Sequence, residues 1–283
     1  MQQTVDITTT GKISQPIMLN GHAPCYYARC THPQLSRFVD YNIQVQGMGR
    51  TLDKDIQPRP GASLIFDVNG ILFNDKFFAN NALAGIHEQA YNIKPQTPEA
   101  DCFTVKLSAY GLSRFTPLPA HTFANHIVDA SAALGDSITD LYDAMSRVKG
   151  FEDRIALAEA YFADHLLPTS GTDEYIWRIA DRIYEEDGNS YFDAIRAMAP
   201  MSMRQLERRF RSIIGVGIRS YMRICRFSKA NELLIVQPHT ALTHVGYEAG
   251  YYDQAHFSRH FKDVTHVAPK DYIPCAPTMK ERS

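Results

Sequence analysis

Two segments of the chain repeat one frame, and that repeat limits the fold more than any other feature. Leu206-Glu207-Arg208-Arg209-Phe210-Arg211 and Phe257-Ser258-Arg259-His260-Phe261-Lys262 both read apolar-x-Arg-x-Phe-basic. Such a repeat asks for two copies of one unit, each with a buried apolar edge and a basic outer edge. Around the first copy, Met203, Leu206, Phe210 and Ile213 form one helical stripe, and Arg204, Gln205, Arg208 and Arg211 take the other side. Around the second, Phe257 and Phe261 lie one turn apart and anchor the helix inward, which leaves Gln254, His256, Arg259 and His260 to face outward.

The surrounding residues punctuate both units. Thr172 is the expected cap of a helix from Asp173 to about Glu186, with acids in its first turn and Gly188 as its stop. A short helix over about 191–199 runs into Pro200, and Ser202 caps the next, which ends at Gly215. The spacing of Tyr221, Ile224, Cys225, Ala230, Leu233 and Leu234 predicts a long spacer helix from Ile218 to about Val236, ended by Pro238. A second unit follows, with a helix over 241–249, a turn at Gly250-Tyr251 and a helix from Asp253 to about Val264. Asp253 reads as a helix cap before it reads as a DNA contact.

The charge is distributed in the same sense. The whole chain carries a net charge of −2, yet Arg196–Lys229 holds nine basic residues and one acidic residue, Glu207. A basic run is commonly just a solvated face. Two amphipathic helices that both turn Arg and Gln outward match the donors needed to reach base edges and phosphates in a groove that admits one helix.

The stretch Gly250-Tyr251-Tyr252-Asp253-Gln254-Ala255-His256-Phe257-Ser258-Arg259-His260-Phe261-Lys262 resembles the second helix-turn-helix signature of AraC/XylS-type transcriptional regulators. So do Gly215-Val216, Tyr221, Arg226-Phe227 and Ala230 in the linker, and Pro269 with Tyr272 near the end. The resemblance implies two recognition helices, joined by a rigid helix, in successive major-groove segments about 34 Å apart. It implies DNA contacts from Ser202, Arg204, Gln205, Arg208 and Arg209 in the first unit, and from Gln254, His256, Arg259 and His260 in the second. It also implies an activator in contact with RNA polymerase on double-stranded DNA. Three places depart from the family pattern: Pro200 and Gly246 stand where Gly and Ala are usual, and 265–268 replace a Gly-containing segment.

Residues 1–150 carry short β-like runs at Ile17–Leu19, Phe38–Val45, Ser63–Val68, Leu83–His87 and Phe103–Ala109, broken by Gly and Pro. They predict a small antiparallel barrel or sandwich, and apolar periodicity from Asp136 predicts two helices packed on it or on a second subunit. Residues 60–67 and 103–117 resemble the cupin-like sensory half found in one branch of these regulators. That resemblance implies a small effector or signal and a homodimer formed through the flanking helices. Phe66, Phe73, Phe77, Phe78, Tyr91 and Phe103 are the aromatic candidates for an effector pocket, although core packing explains such residues equally well.

The expected architecture is therefore α+β: an effector and dimerisation domain over 1–168, helical from about 136, a double helix-turn-helix domain over 172–275, and a tail over 276–283. The alternative weighed against it is a metal-dependent cupin-type enzyme with a DNA-binding appendage. A metal-holding cupin needs two histidines one residue apart on a strand, and no His-x-His occurs in the chain. His22, Cys25, Cys30 and His32 match no zinc spacing, and His256 with His260 read as groove-facing or solvated rather than as chelators, so no metal or cofactor is predicted. No nucleophile-elbow, phosphate-loop or dinucleotide fingerprint is present, and no enzyme is predicted. Five scattered cysteines argue against a disulfide framework, and the N-terminus lacks the apolar core of a secretory signal. A cytoplasmic protein with no membrane segment is expected.

Overall fold

The structure is a computed structural model, and it describes residues 17–19, 23–47, 54–67, 71–74, 76–78 and 80–272. The tail over 276–283 lies outside these residues.

Seven strands form one antiparallel sheet in the order β1 (Ile17–Leu19), β2 (Ala23–Arg29), β3 (Val39–Val45), β10 (Cys102–Leu107), β5 (Ser63–Asp67), β8 (Asn81–Ala84), β11 (Ile127–Asp129). Four more form a second: β4 (Lys54–Ile56), β9 (Tyr91–Pro95), β6 (Ile71–Phe73), β7 (Lys76–Phe77). Among the described residues the sheets stay separate, so the fold is α+β with antiparallel sheets rather than one closed barrel. Cross-strand partners share a face, and the register sorts the large sheet into two. Ile65 and Ala82 lie on one row, Cys25, Val45 and Cys102 on another, and all pack against Ile71, Phe73, Tyr91 and Ile93 of the small sheet. The opposite face carries Phe103, Phe66, Leu64, Val105 and Leu83 toward the helices.

Three helices cover that second face: α1 (Ser131–Leu134), α2 (Ser137–Ser146) and α3 (Phe151–Asp164). Phe151 opens α3 and lies 5.8 Å from the ring of Tyr26 and 6.1 Å from Phe103. Arg154 is buried between helix and sheet, where Asp101 neutralises it at 3.2 Å and the carbonyl of Val148 accepts a further bond. A buried guanidinium is tolerated only with such partners.

The C-terminal region is helical throughout: α4 (Asp173–Glu185), α5 (Phe192–Ala197), α6 (Met203–Ile214), α7 (Ile218–Val236), α8 (Leu242–Glu248) and α9 (Gln254–Thr265). Thr172 stands at the start of α4, but its side chain does not cap it; Asp173 instead accepts the backbone N–H of Ser170 at 3.1 Å. The core does not stop at the start of α4. Ile176, Trp177, Leu206 and Phe210 join the same cluster as the sheet's helix-facing side. Trp177 stacks on Tyr110 (5.3 Å, 22° between planes) and meets Phe38 edge-on, while Arg37 lies over its ring at 4.8 Å. The Tyr110 hydroxyl donates to Asp181 of α4 at 3.1 Å. Helices α7 to α9 bury a core of their own around Phe227, Val245, Phe257 and Phe261.

Candidate nucleic-acid interface

The start of α6 is fixed by a reciprocal pair. The Ser202 hydroxyl accepts the backbone N–H of Gln205 at 3.3 Å, and Gln205 Oε1 accepts the backbone N–H of Ser202 at 3.0 Å. Two orphan donors of the first turn are satisfied together. Leu206, Phe210, Ile213 and Ile214 are buried, whereas Arg204, Gln205, Arg208 and Arg211 are exposed. The back of α6 rests on two 3-10 turns of the N-terminal domain, Gly111–Arg114 and Ala120–Thr122. Gly215 closes the helix at φ +106, and a Cβ there would lie 2.8 Å from Ile86 Cγ2. Glu207, the one acid of the helix, turns away from the arginines and accepts the N–H of Ile218 at 3.3 Å.

The second unit repeats this design with different parts. Asp253 accepts the N–H of His256 at 2.7 Å, so it caps α9, as its position in the sequence predicts. Phe257, Phe261 and Val264 go inward; Gln254, His256, Arg259 and Lys262 are exposed. Gly246, a departure from the family pattern, has a packing reason: a Cβ there would lie 3.1 Å from Cβ of Phe257 and crowd the main anchor of α9. At the far end of α9, His266 takes the left-handed conformation (φ +62) in the segment where glycine is usual.

The two units are joined by more than the α7 strut. Arg226 of α7 donates to the carbonyl of Gly188 at 2.9 Å and to Asn189 Oδ1 at 3.2 Å, and its guanidinium lies 5.7 Å from the Tyr251 ring. Asn189, in the turn after α4, sits directly over Gly250, whose φ of +80 and missing Cβ admit it. The turn of one unit is thus keyed into the turn of the other, a contact with no signature in the repeat itself.

Two of the expected DNA contacts are placed otherwise. His260 does not face outward: it is only 6% exposed, because α9 turns that position toward α7 beside Phe261. Arg223 Nε donates to His260 Nε2 at 3.3 Å, and Tyr251 Oη lies 2.8 Å from Nδ1. A guanidinium cannot accept, so Nε2 is the acceptor and the ring proton sits on Nδ1, donating to Tyr251. Burial, with Arg223 next in effect, pushes the His260 pKa down to about 4. Arg209 leans back across α4, donating to Asp173 and to Ser170 Oγ at 2.9 and 2.8 Å, and braces the unit. Arg204, Arg208 and Arg259 are the arginines of the sequence-derived set that stand exposed.

His260 gives the fold a pH dependence with a definite sign. Its folded pKa lies below the unfolded value near 6.5, so the unfolded chain binds the extra proton first. Stability is level above about pH 6.5 and falls as pH drops toward 4, by up to about 3 kcal/mol. Burial lowers the His87 pKa as well and adds in the same direction. Urea melts at pH 7.5 and 5.0 should differ for the native chain and differ much less for His260→Gln; equal pH sensitivity in both would reject the assignment.

The aromatic pocket candidates are not brought together. Phe66 and Phe103 pair across β5 and β10 and face the helices, whereas Phe73 and Tyr91 lie in the core between the sheets, with Phe78 packed against it. The side chain of Phe77 lies outside the described residues. Open space is found instead between the domains, in a cavity of about 260 Å³ bordered by Pro58, Gln89, Arg223, Phe227, His260 and Asp263. Beside it the Ala90 N–H bonds to the Val264 carbonyl at 2.9 Å, and Gln89 Nε2 donates to the Asp263 carbonyl at 3.2 Å. These bonds tie the N-terminal domain to the end of α9. Cys25 and Cys30 belong to separate core clusters, Cys30 donating to Glu159 at 3.7 Å, and His22 lies outside the described residues. Among the described residues no His, Cys, Asp and Glu group is placed to hold a metal, and no helix is long and apolar enough to cross a membrane.

Comparison with known proteins agrees with the helical geometry. Residues 196–273 match a helix-turn-helix domain family, and the HTH-type transcriptional regulator MtrA of Neisseria gonorrhoeae is 35% identical over 80 residues. The matched residues include those that resemble the helix-turn-helix signature of AraC/XylS-type regulators. The MtrA match takes in 28% of this chain and 26% of that protein, so the chain spans about a quarter of the length of the curated relative it matches. Residues 30–129 match a domain of unknown function (DUF6597). Among solved structures, ToxT from Vibrio cholerae aligns with 88% of the chain and 96% of its own length, at 14% identity and a TM-score of 0.46. The C-terminal domain of AraT, a response regulator from Geobacillus stearothermophilus, aligns with 40% of the chain and 95% of its own length, at 20% identity and a TM-score of 0.34. A helix-turn-helix domain over these residues fits the paired capped helices α6 and α9, each with a buried Phe and an outward Arg.

Proposed function

We propose that the protein is a sequence-specific transcriptional regulator, with residues 172–275 reading DNA and residues 1–168 setting dimerisation and the response to a signal. The observation that carries this reading is the pairing of α6 and α9, each capped, anchored by phenylalanines and exposing arginine on its outer side. Arg204, Arg208 and Arg259 are the proposed base and phosphate contacts, with Gln205, Gln254 and His256 beside them. Ser202 and Arg209 serve by holding α6 in place, and His260 by holding α9.

In this reading the protein acts as an activator in contact with RNA polymerase and dimerises through the helices over 136–168. A small effector acts at the seam between the domains, where the Gln89–Ala90 bonds to α9 border the cavity. Anything that spreads this seam also changes the position of the second recognition helix relative to the first.

The test is salt dependence. Arg204, Arg208, Arg211, Arg259 and Lys262 are exposed on the two helices, and each phosphate neutralised adds about −0.9 to the slope of log K against log salt. A slope steeper than about −3 is expected for the full chain on duplex DNA. A slope near zero would remove the DNA-binding reading.

A further inference from the structure

The outward face of α6 holds hydrogen-bond donors and is short of acceptors. Arginine only donates, and a glutamine amide normally offers both a donor and an acceptor edge. Gln205 has lost the acceptor half: its Oε1 takes the Ser202 backbone N–H at 3.0 Å and the Ser202 hydroxyl at 2.9 Å. A backbone N–H cannot accept, so this orientation of the amide is fixed by chemistry, and the Nε2 group is what remains for a ligand. Glu207 is withdrawn toward Ile218. In α9, Gln254 is held in a similar manner, its Oε1 accepting the Thr243 hydroxyl at 2.8 Å.

We infer that Gln205 reads an acceptor-bearing base edge, guanine or thymine, and does not make the two-point contact with adenine that a free glutamine makes. This rests on the DNA-reading role proposed above. The adenine contact needs the amide oxygen to accept from the N6 amino group while the amide nitrogen donates to N7. In α6 that oxygen is already saturated by the cap. Guanine offers N7 and O6 and thymine offers O4, all acceptors that the free Nε2 group satisfies, whereas adenine sets an N6 donor beside its N7. Ser202 is accordingly a positioning residue: it decides what Gln205 is able to read.

The cap supplies its own test, because glutamate serves a capping box as well as glutamine does. In Gln205→Glu one carboxylate oxygen keeps the Ser202 bonds and the other faces outward as an acceptor. Selection from random duplexes with the full chain should recover guanine or thymine at one position for the native protein. For Gln205→Glu that position should change to cytosine or adenine, whose amino groups donate, while the other positions and the melting temperature stay as they were. Where guanine is selected, replacing it with 7-deazaguanine should weaken native binding about three- to tenfold, the scale of one hydrogen bond. Adenine as the base selected in the native site would overturn the inference, as would an unchanged preference in Gln205→Glu. Both of those results leave DNA recognition standing. Salt-insensitive binding with no preferred sequence would instead remove the role on which the inference rests, and the inference with it.

Discussion

Gly188→Ala is expected to destabilise the C-terminal domain by about 2–5 kcal/mol. Two separate costs contribute. Gly188 has φ +77, a region that charges a residue with a Cβ about 1–2 kcal/mol. The added methyl would also lie 2.1 Å from the Met222 carbonyl oxygen and 3.0 Å from the Arg226 nitrogen. Both are backbone atoms of α7, so no rotamer change relieves the contact, and overpacking of this kind costs about 1–3 kcal/mol. The site also matters for geometry, since Arg226 bonds to the Gly188 carbonyl and to Asn189, which sits over the Gly250 turn. Moving α7 off this turn therefore misaligns the two recognition helices. Gly171→Ala is the control, because a Cβ there meets nothing within 4 Å and φ is not positive. Urea denaturation followed by circular dichroism should show a lowered midpoint for Gly188→Ala and little change for Gly171→Ala. Equal midpoints would mean that the close approach of the α4 turn to α7 is not a constraint.

The helical half was legible because its signals are local. Ser202 with Gln205, Gly215, Pro238 and Asp253 mark helix ends by backbone chemistry that needs no distant partner. The bounds of α7, Ile218–Val236, coincide with the predicted spacer for that reason. The strands were harder. In β2 (Ala-Pro-Cys-Tyr-Tyr-Ala-Arg), Tyr26 meets Phe151 on one face while Tyr27 meets Tyr41 on the other. With both faces covered there is no alternation to detect. The short strands β4, β6, β7 and β9 belong to a second sheet, and sheet membership is not written in any one strand. Phe66 and Phe73, both aromatic strand residues, therefore read alike in the sequence although they face different cores. His260 reads as outward-facing for a related reason. Its place on the α9 wheel, one residue before Phe261, lies at the edge of the buried arc, and only Arg223 and Tyr251, supplied by other elements, decide that it is covered.

Arg208→Ala and Arg259→Ala are each expected to cost about 1–3 kcal/mol of specific DNA affinity at fixed salt, the worth of one two-point guanine contact. The two residues occupy the same place in the repeated frame, two positions before the anchoring Phe210 and Phe261, and both are exposed. They stand on separate helices with separate cores, so the double variant should lose roughly the sum, about 2–6 kcal/mol. Arg209→Ala is the discriminating comparison. It removes the ion pair to Asp173, which at 40% and 24% exposure is a half-solvated brace, so it should cost stability within about 1 kcal/mol and leave sequence preference intact. Electrophoretic mobility shifts with the selected duplex and with random competitor separate the two effects. Loss confined to the specific duplex marks base reading, and equal loss on both marks phosphate contact alone. If the double variant bound the selected duplex as tightly as the native chain, Arg208 and Arg259 would be mere solubilising charge, and the repeated frame would have no role in recognition.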